Sequence, residues 1–223
     1  MNRIATFAAA AAAVMTFSAT SANALVSLGT SIDGGATIIL QNSGALGASF
    51  VGAIGGFELD VSTGLIGLSP VLLGSSSSNV NTVGTGSLDV YVTRDNIAGP
   101  APTNFLTTFS SNSIPTGWTI TLQSIYGGGA WGAGGTQLGL YTNTGPVVGN
   151  NGANVVAGPF GGAGPYQVTA HYSIVANAPG TNESNIEILA GVPEPGTWAM
   201  MIMGFGAAGA MIRRRRALLS VRA

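Results

Sequence analysis

The chain contains no cysteine and a single histidine, His171. Disulfide bonds, thiolate catalysis and cysteine-based metal sites are therefore excluded, and one histidine cannot build a usual zinc site. A serine triad would need His171 as its base, and no Gly-x-Ser-x-Gly segment presents a serine to it. We therefore expect no metal and no cofactor, and we expect His171 on the polar face of a strand.

Lysine is also absent, and Arg94 is the only basic residue between the two ends of the chain. Seven carboxylates oppose it within Leu25–Val192, which gives this segment a net charge of −6. They are Asp33, Glu58, Asp60, Asp89, Asp95, Glu183 and Glu187. Such a domain cannot neutralise phosphates, so nucleic acid is excluded as a partner.

The first residues have the pattern of a secretory signal peptide. Arg3 supplies the positive start, Ile4–Phe17 is predominantly apolar, and Ala22-Asn23-Ala24 forms a small-x-small cleavage site. We predict a signal peptide over residues 1–24 and a mature chain that starts at Leu25. A membrane anchor is the alternative, but the apolar stretch is short and no basic residue follows it closely.

The C-terminal end has three parts in succession. Pro193-Glu194-Pro195 must be extended because proline fixes φ and lacks an N–H. Thr197–Ile212 carries no charge and reaches about 24 Å as a helix, against a bilayer core of about 30 Å. Arg213, Arg214, Arg215 and Arg216 follow and should stay on the cytoplasmic side with the tail 217–223. A buried helix of a soluble domain is the alternative, but Thr197–Ile212 has no polar face.

These residues resemble a PEP-CTERM sorting signal in its Pro-Glu-Pro-x-x-Trp-Ala variant, over residues 193–216. The matching positions are Pro193, Glu194, Pro195, Trp198 and Ala199, followed by the apolar stretch and the arginines. The resemblance implies an exported substrate of exosortase in a Gram-negative bacterium that makes exopolysaccharide. It further implies an inner-membrane stage with the body facing the periplasm. Processing near the Pro-Glu-Pro motif and placement at the cell surface or in the extracellular matrix would follow.

Between the two signals, residues 25–192 are rich in glycine, serine, threonine, asparagine and valine, which favours short strands and tight turns. Apolar and polar residues alternate in several segments, so we predict an all-β fold, a single antiparallel β-sandwich. The strand candidates are Thr37–Gln41, Ala48–Val61, Ser87–Arg94, Trp118–Tyr126, Thr136–Thr142 (Leu138 and Leu140 inward), Tyr166–Val175 and Asn185–Leu189. The loop candidates are Gly74–Gly86, Gly127–Gly135, which we expect to be flexible, and Pro146–Pro165.

We expect a non-catalytic protein of the cell surface or exopolysaccharide matrix. A carbohydrate-binding module is the alternative, because Trp131 in its glycine loop could stack on a sugar ring, with Tyr91 or Tyr141 as further contacts. A buried Trp131 is the other interpretation. A glycoside hydrolase built on Glu58 and Asp60, which share one face of a strand, is the weakest alternative.

Calcium is the remaining metal to consider, because it takes clustered oxygen ligands. Asp89, Arg94 and Asp95 do not have the spacing of a known calcium loop. The sequence leaves a structural calcium open.

Overall fold

Strands account for most of the body in the computed structural model, which describes residues 24–35, 37–64, 71–98, 101–162, 164–191, 201–206 and 209. The strands are β1 Val26–Ile32, β2 Ile39–Gly44, β3 Gly47–Ile54, β4 Phe57–Gly64, β5 Val71–Thr82, β6 Gly86–Ile97, β7 Phe105–Asn112, β8 Trp118–Tyr126, β9 Thr136–Thr144, β10 Asn151–Ala157, β11 Tyr166–Ala176 and β12 Gly180–Ala190. A 3-10 turn, Ala130–Gly132, lies between β8 and β9.

The strands form two six-stranded sheets that pack face to face. Sheet A has the order β2-β1-β6-β11-β8-β9, and sheet B has the order β10-β7-β12-β5-β4-β3. Every pair of neighbours in both sheets is antiparallel. The predicted all-β sandwich is therefore confirmed.

Alternation along the strands sends one set of side chains into a shared core between the sheets. On β11, Val168, Ala170, Tyr172 and Ile174 are fully buried, as the pattern predicts. The hydroxyl of Tyr172 reaches across to sheet B and accepts a hydrogen bond of 3.0 Å from the backbone N–H of Ile186. That N–H lies where the pairing of β12 with β5 shifts register, so the hydroxyl satisfies a donor beside an irregularity of the ladder.

Two segments predicted as loops contain strands. Gly74–Gly86 overlaps β5, which lies inside sheet B and pairs with β4 and β12. Pro146–Pro165 contains β10, which pairs with β7 along its whole length. Serine, asparagine and glycine disfavour strands in general, but pairing with a neighbouring strand overrides that weak preference.

The predicted burial of β9 is wrong at one residue. Leu138 is buried, but Leu140 is 49 % exposed. The pairing of β8 with β9 shifts between Ser124 and Ile125, so Leu138 has no direct partner. This bulge moves the alternation by one residue, and Leu140 therefore points outward.

Part of the predicted helix Thr197–Ile212 can be described. Residues 201–206 and 209 are helical, and the side chains of Met201, Ile202, Met203 and Phe205 are exposed. The other residues of the predicted helix lie outside the described ranges. Within those ranges, no helix has the length and apolar character needed to cross a membrane.

Candidate functional site

The outer face of sheet A carries a transverse row of side chains that strand register brings together. Tyr91 on β6 lies opposite His171 on β11, and His171 lies opposite Gln123 on β8. The rings of Tyr91 and His171 are parallel within 4°, with centroids 4.3 Å apart. Alternation alone placed both residues on polar strand faces, but only the pairing of β6 with β11 makes them neighbours.

His171 is held from two sides. Its Nε2 lies 2.8 Å from Oδ1 of Asp89, and its Nδ1 lies 3.4 Å from Oε1 of Gln123. Burial raises the pKa of Asp89, but hydrogen bonds from His171 and Ser173 together outweigh burial and hold the pKa below its ordinary value. The predicted strand face of His171 is confirmed, but the ring is fixed by its neighbours rather than free in solvent.

Trp131 extends this row on the side of β1. Its ring centroid lies 6.4 Å from that of Tyr91, at an angle of 56°. The indole covers Gly29, because a Cβ at that glycine would lie 2.7 Å from Cη2 of Trp131. Trp131 is thus half-buried, and one edge of its ring packs against the sheet. This result lies between the two interpretations of the sequence, an exposed and a buried Trp131. We call Trp131, Tyr91 and His171 the aromatic row.

The loop Gly127–Gly135, which carries Trp131, is held in place by hydrogen bonds, whereas the sequence led us to expect a flexible loop. The side-chain amide nitrogen of Gln167 donates to the carbonyls of Gly127, Gly128 and Gly129 at 3.0, 3.2 and 2.6 Å. A backbone bond of 2.8 Å from Gly129 N–H to the Ala133 carbonyl closes the loop. Trp131 itself has a φ of 58°, in the left-handed region that non-glycine residues rarely adopt. Strained backbone of this kind clusters at functional sites.

The row offers polar groups as well as ring surface. Within the described part of the chain, neither the hydroxyl of Tyr91 nor Nε1 of Trp131 has a hydrogen-bond partner. Burial and the charge of Asp89 raise the pKa of Tyr91, so its hydroxyl remains a donor at neutral pH. Aromatic carbon beside hydroxyl, amide and carboxylate groups is the combination that a neutral polyhydroxylated ligand can use.

Tyr141, the third aromatic candidate, lies elsewhere. Its ring stacks on Phe109 of sheet B with centroids 6.4 Å apart and an interplanar angle of 15°. Its hydroxyl accepts a hydrogen bond of 3.0 Å from Nδ2 of Asn143. Tyr141 therefore packs against the core and does not join the aromatic row.

Glu58 and Asp60 line a groove on the outer face of sheet B. The groove has a volume of about 510 Å³, and its other lining residues are Val51, Gly52, Ala53, Leu59, Asn79, Asn81 and Thr181. Glu58 accepts a hydrogen bond of 3.1 Å from Nδ2 of Asn81. Both carboxylates are exposed and stand on the same face of β4. Glycoside hydrolases instead place their two carboxyl groups on either side of the scissile bond.

The three residues considered for calcium each have another partner. Asp89 binds His171, Oδ1 of Asp95 accepts from the backbone nitrogen of Leu25 at 3.1 Å, and Arg94 donates to the carbonyl of Leu72 at 2.6 Å. In the described ranges, no three or more histidine, aspartate or glutamate side chains group to hold a metal ion.

The residues of the two export signals fall mostly outside the described ranges. Ala24 is described and directly precedes Leu25 and β1. The remaining sites outside those ranges are Ala22, Pro193, Glu194, Pro195, Trp198, Ala199, Arg213, Arg214, Arg215 and Arg216.

Comparison with protein families identifies the C-terminal segment. The family model of the PEP-CTERM protein-sorting motif matches residues 191–216. The chain therefore carries this motif, as the resemblance of residues 193–216 predicted, and the motif implies an exported protein that is sorted via the cell envelope. The comparison with curated proteins gives no match.

Several solved structures of carbohydrate-binding modules are distantly similar to the body. TmCBM61 in complex with β-1,4-galactotriose has 12 % identity and a TM-score of 0.36, over 53 % of this chain and 71 % of that one. The C-terminal CBM6 of LamC from Zobellia galactanivorans has 19 % identity and a TM-score of 0.29, over 58 % and 87 %. CBM6cm-2 of Cellvibrio mixtus lichenase 5A, with cellotriose, has 18 % identity and a TM-score of 0.26, over 60 % and 88 %. Likenesses of this size do not bear on what this chain binds.

Proposed function

We propose that the protein is a non-catalytic component of the cell surface or exopolysaccharide matrix, released from the inner membrane by exosortase. The observation that carries the proposal is the PEP-CTERM motif at residues 191–216. Its position suits release, because the last strand, β12, ends at Ala190. Processing near Pro193–Pro195 would remove the tail and leave the twelve strands of the described ranges in place.

The other end of the domain supports removal of the signal peptide. The backbone nitrogen of Leu25 lies 3.1 Å from Oδ1 of Asp95, and the Leu25 carbonyl accepts a bond of 3.0 Å from the Asp95 N–H. Cleavage after Ala24 would convert this nitrogen into an ammonium group beside a carboxylate. The new charge would therefore have a partner in the folded domain.

We expect the protein from the envelope and medium of a native producer to have the mass of a chain that starts at Leu25 and ends near Pro193–Pro195. Intact mass spectrometry measures this directly, and added mass at the end would identify an attached group. A variant with both Pro193→Ala and Pro195→Ala tests the motif and should retain Arg213–Arg216. A wild-type species that still carries these arginines would contradict processing and leave the tail as a plain anchor.

The non-catalytic part of the proposal rests on the groove of sheet B, where the only paired carboxylates considered for hydrolysis, Glu58 and Asp60, share one strand face. Polysaccharide hydrolysis by the purified protein that disappears in Glu58→Gln would contradict it.

The aromatic row favours a second function, carbohydrate binding within the matrix. The supporting observation is the strained Trp131, which a pinned loop holds beside the stacked Tyr91 and His171. Holding Trp131 in this strained conformation over Gly29 has a conformational cost that an ordinary surface turn would not have.

We expect Trp131→Ala to weaken retention on the producer's own exopolysaccharide about tenfold, equivalent to about 1.4 kcal/mol. Affinity electrophoresis in gels that contain the polysaccharide measures this. Val83→Ala removes an exposed apolar side chain from the turn between β5 and β6 and is the matched control. Equal retention of Trp131→Ala and Val83→Ala would remove the aromatic row as the binding site.

A further inference from the structure

The four edge strands of the sandwich contain no charged residue. Sheet A ends in β2 and β9, and sheet B ends in β10 and β3. The charged residues that lie in described strands are all on β4, β6 and β12, which are inner strands of their sheets. Proteins usually protect an exposed edge with charge, above all lysine, or with proline in the strand. Pro146 and Pro159 flank β10 and do not lie in it.

The edges form two opposite sides of the molecule. β2 contacts β3 along one side, and β9 contacts β10 along the other. We call these the β2/β3 side and the β9/β10 side. Each side presents apolar side chains to solvent: Ile39, Leu40, Leu46 and Val51 on the first, and Leu140, Val148 and Val156 on the second.

The two sides are complementary in strand direction. Each sheet has six strands and every neighbouring pair is antiparallel, so the two edge strands of a sheet run in opposite directions. A second copy displaced sideways, and rotated about that direction to follow the twist of the sheets, would therefore meet each edge with an antiparallel strand. Sheet A and sheet B would both continue across the junction.

Sheet B has the more regular edges. β3 pairs with β4, and β10 with β7, without any shift in register. Both pairs at the edges of sheet A contain a bulge, which blunts an edge. Val51 on β3 and Val156 on β10 are 76 % and 71 % exposed and mark the two regular edges.

We infer that copies of this chain associate head to tail, with β10 of one copy pairing with β3 of the next. The domain has a net charge of −6, but its sides are neutral, so a like-charged copy meets no charge where the edges join. A cationic partner would be drawn instead to the acidic inner strands. Because the contact joins two opposite sides and each copy is displaced along the same direction, it does not close and gives an open chain. The inference rests on the sandwich alone and does not depend on processing by exosortase.

Sedimentation velocity over a range of concentrations tests this on protein purified from a producer. The wild-type weight-average mass should rise steadily with concentration, whereas Val51→Lys and Val156→Lys should each stay monomeric. Val83→Lys is the matched control, because Val83 is an 84 % exposed valine in the β5–β6 turn. All three variants change the charge equally, so only the position differs, and Val83→Lys should associate like the wild type.

A mixture of Val51→Lys and Val156→Lys distinguishes a head-to-tail contact from a symmetric contact. Val51→Lys retains an intact β9/β10 side and Val156→Lys retains an intact β2/β3 side. The equimolar mixture should therefore form dimers, of twice the monomer mass, and nothing larger. A monomeric wild type at every soluble concentration would overturn the inference. Association of either variant alone would overturn it too, as would loss of association in Val83→Lys.

Discussion

Replacement of Trp118 with alanine is expected to lower the free energy of unfolding by about 3–5 kcal/mol. Trp118 begins β8 and is among the largest fully buried side chains of the core. Its Nε1 donates a hydrogen bond of 2.8 Å to the carbonyl of Ala178, in the turn before β12. Alanine would leave a cavity and remove the donor, and a domain of this size has only about 5–15 kcal/mol of stability. The chain has no disulfide to offset the loss.

Chemical denaturation followed by circular dichroism measures this change, and two further variants interpret it. Trp118→Phe restores most of the volume but not the donor, so its loss should lie between wild type and Trp118→Ala. Trp131→Ala removes the same side chain from a half-exposed position and should cost much less. Equal losses for Trp118→Ala and Trp131→Ala would show that Trp118 is not the core residue its burial indicates.

The sequence predicts a strand well where one face of the strand is clearly apolar and the other is clearly polar. Trp118–Tyr126 matches β8 in both bounds, because apolar residues alternate with threonine and glutamine from Trp118 to Gln123. β5 and β10 could not be found in this way. Asn79, Asn81 and Asn154 favour turns locally, and these segments are strands because neighbouring strands supply their backbone hydrogen bonds.

The candidate site likewise combines features that the local sequence predicts with features that depend on strand pairing. Trp131 and Tyr91 could be proposed from residue type alone, but His171 could not be joined to them. Their contact depends on a register that pairs residues 80 positions apart in the chain, Tyr91 with His171. The pinning of the glycine loop by Gln167 is likewise a contact between distant segments. The sorting motif is predictable because its three parts are adjacent in the sequence.

A buried polar cluster in sheet B, which no sequence pattern indicates, supports the second large prediction. Asn182 is 1 % exposed, and its Nδ2 lies 2.9 Å from Oγ of Ser111 and 3.0 Å from the carbonyl of Asn112. Its Oδ1 accepts a bond of 2.7 Å from Ser184, which also lies 3.0 Å from Ser111. Asn182 therefore joins β12 to β7 through side-chain amide and hydroxyl groups.

We expect Asn182→Ala to lower the free energy of unfolding by about 2–3 kcal/mol, because the buried Asn112 carbonyl loses the Asn182 donor and the hydroxyls of Ser111 and Ser184 keep only each other as partners. Asn185→Ala is the matched control, since Asn185 is exposed on the same strand and should cost little. Urea unfolding of both variants measures the difference. Equal midpoints for the two would contradict the cluster's contribution, whereas a large loss confined to Asn182→Ala would show that this polar network stabilises the domain.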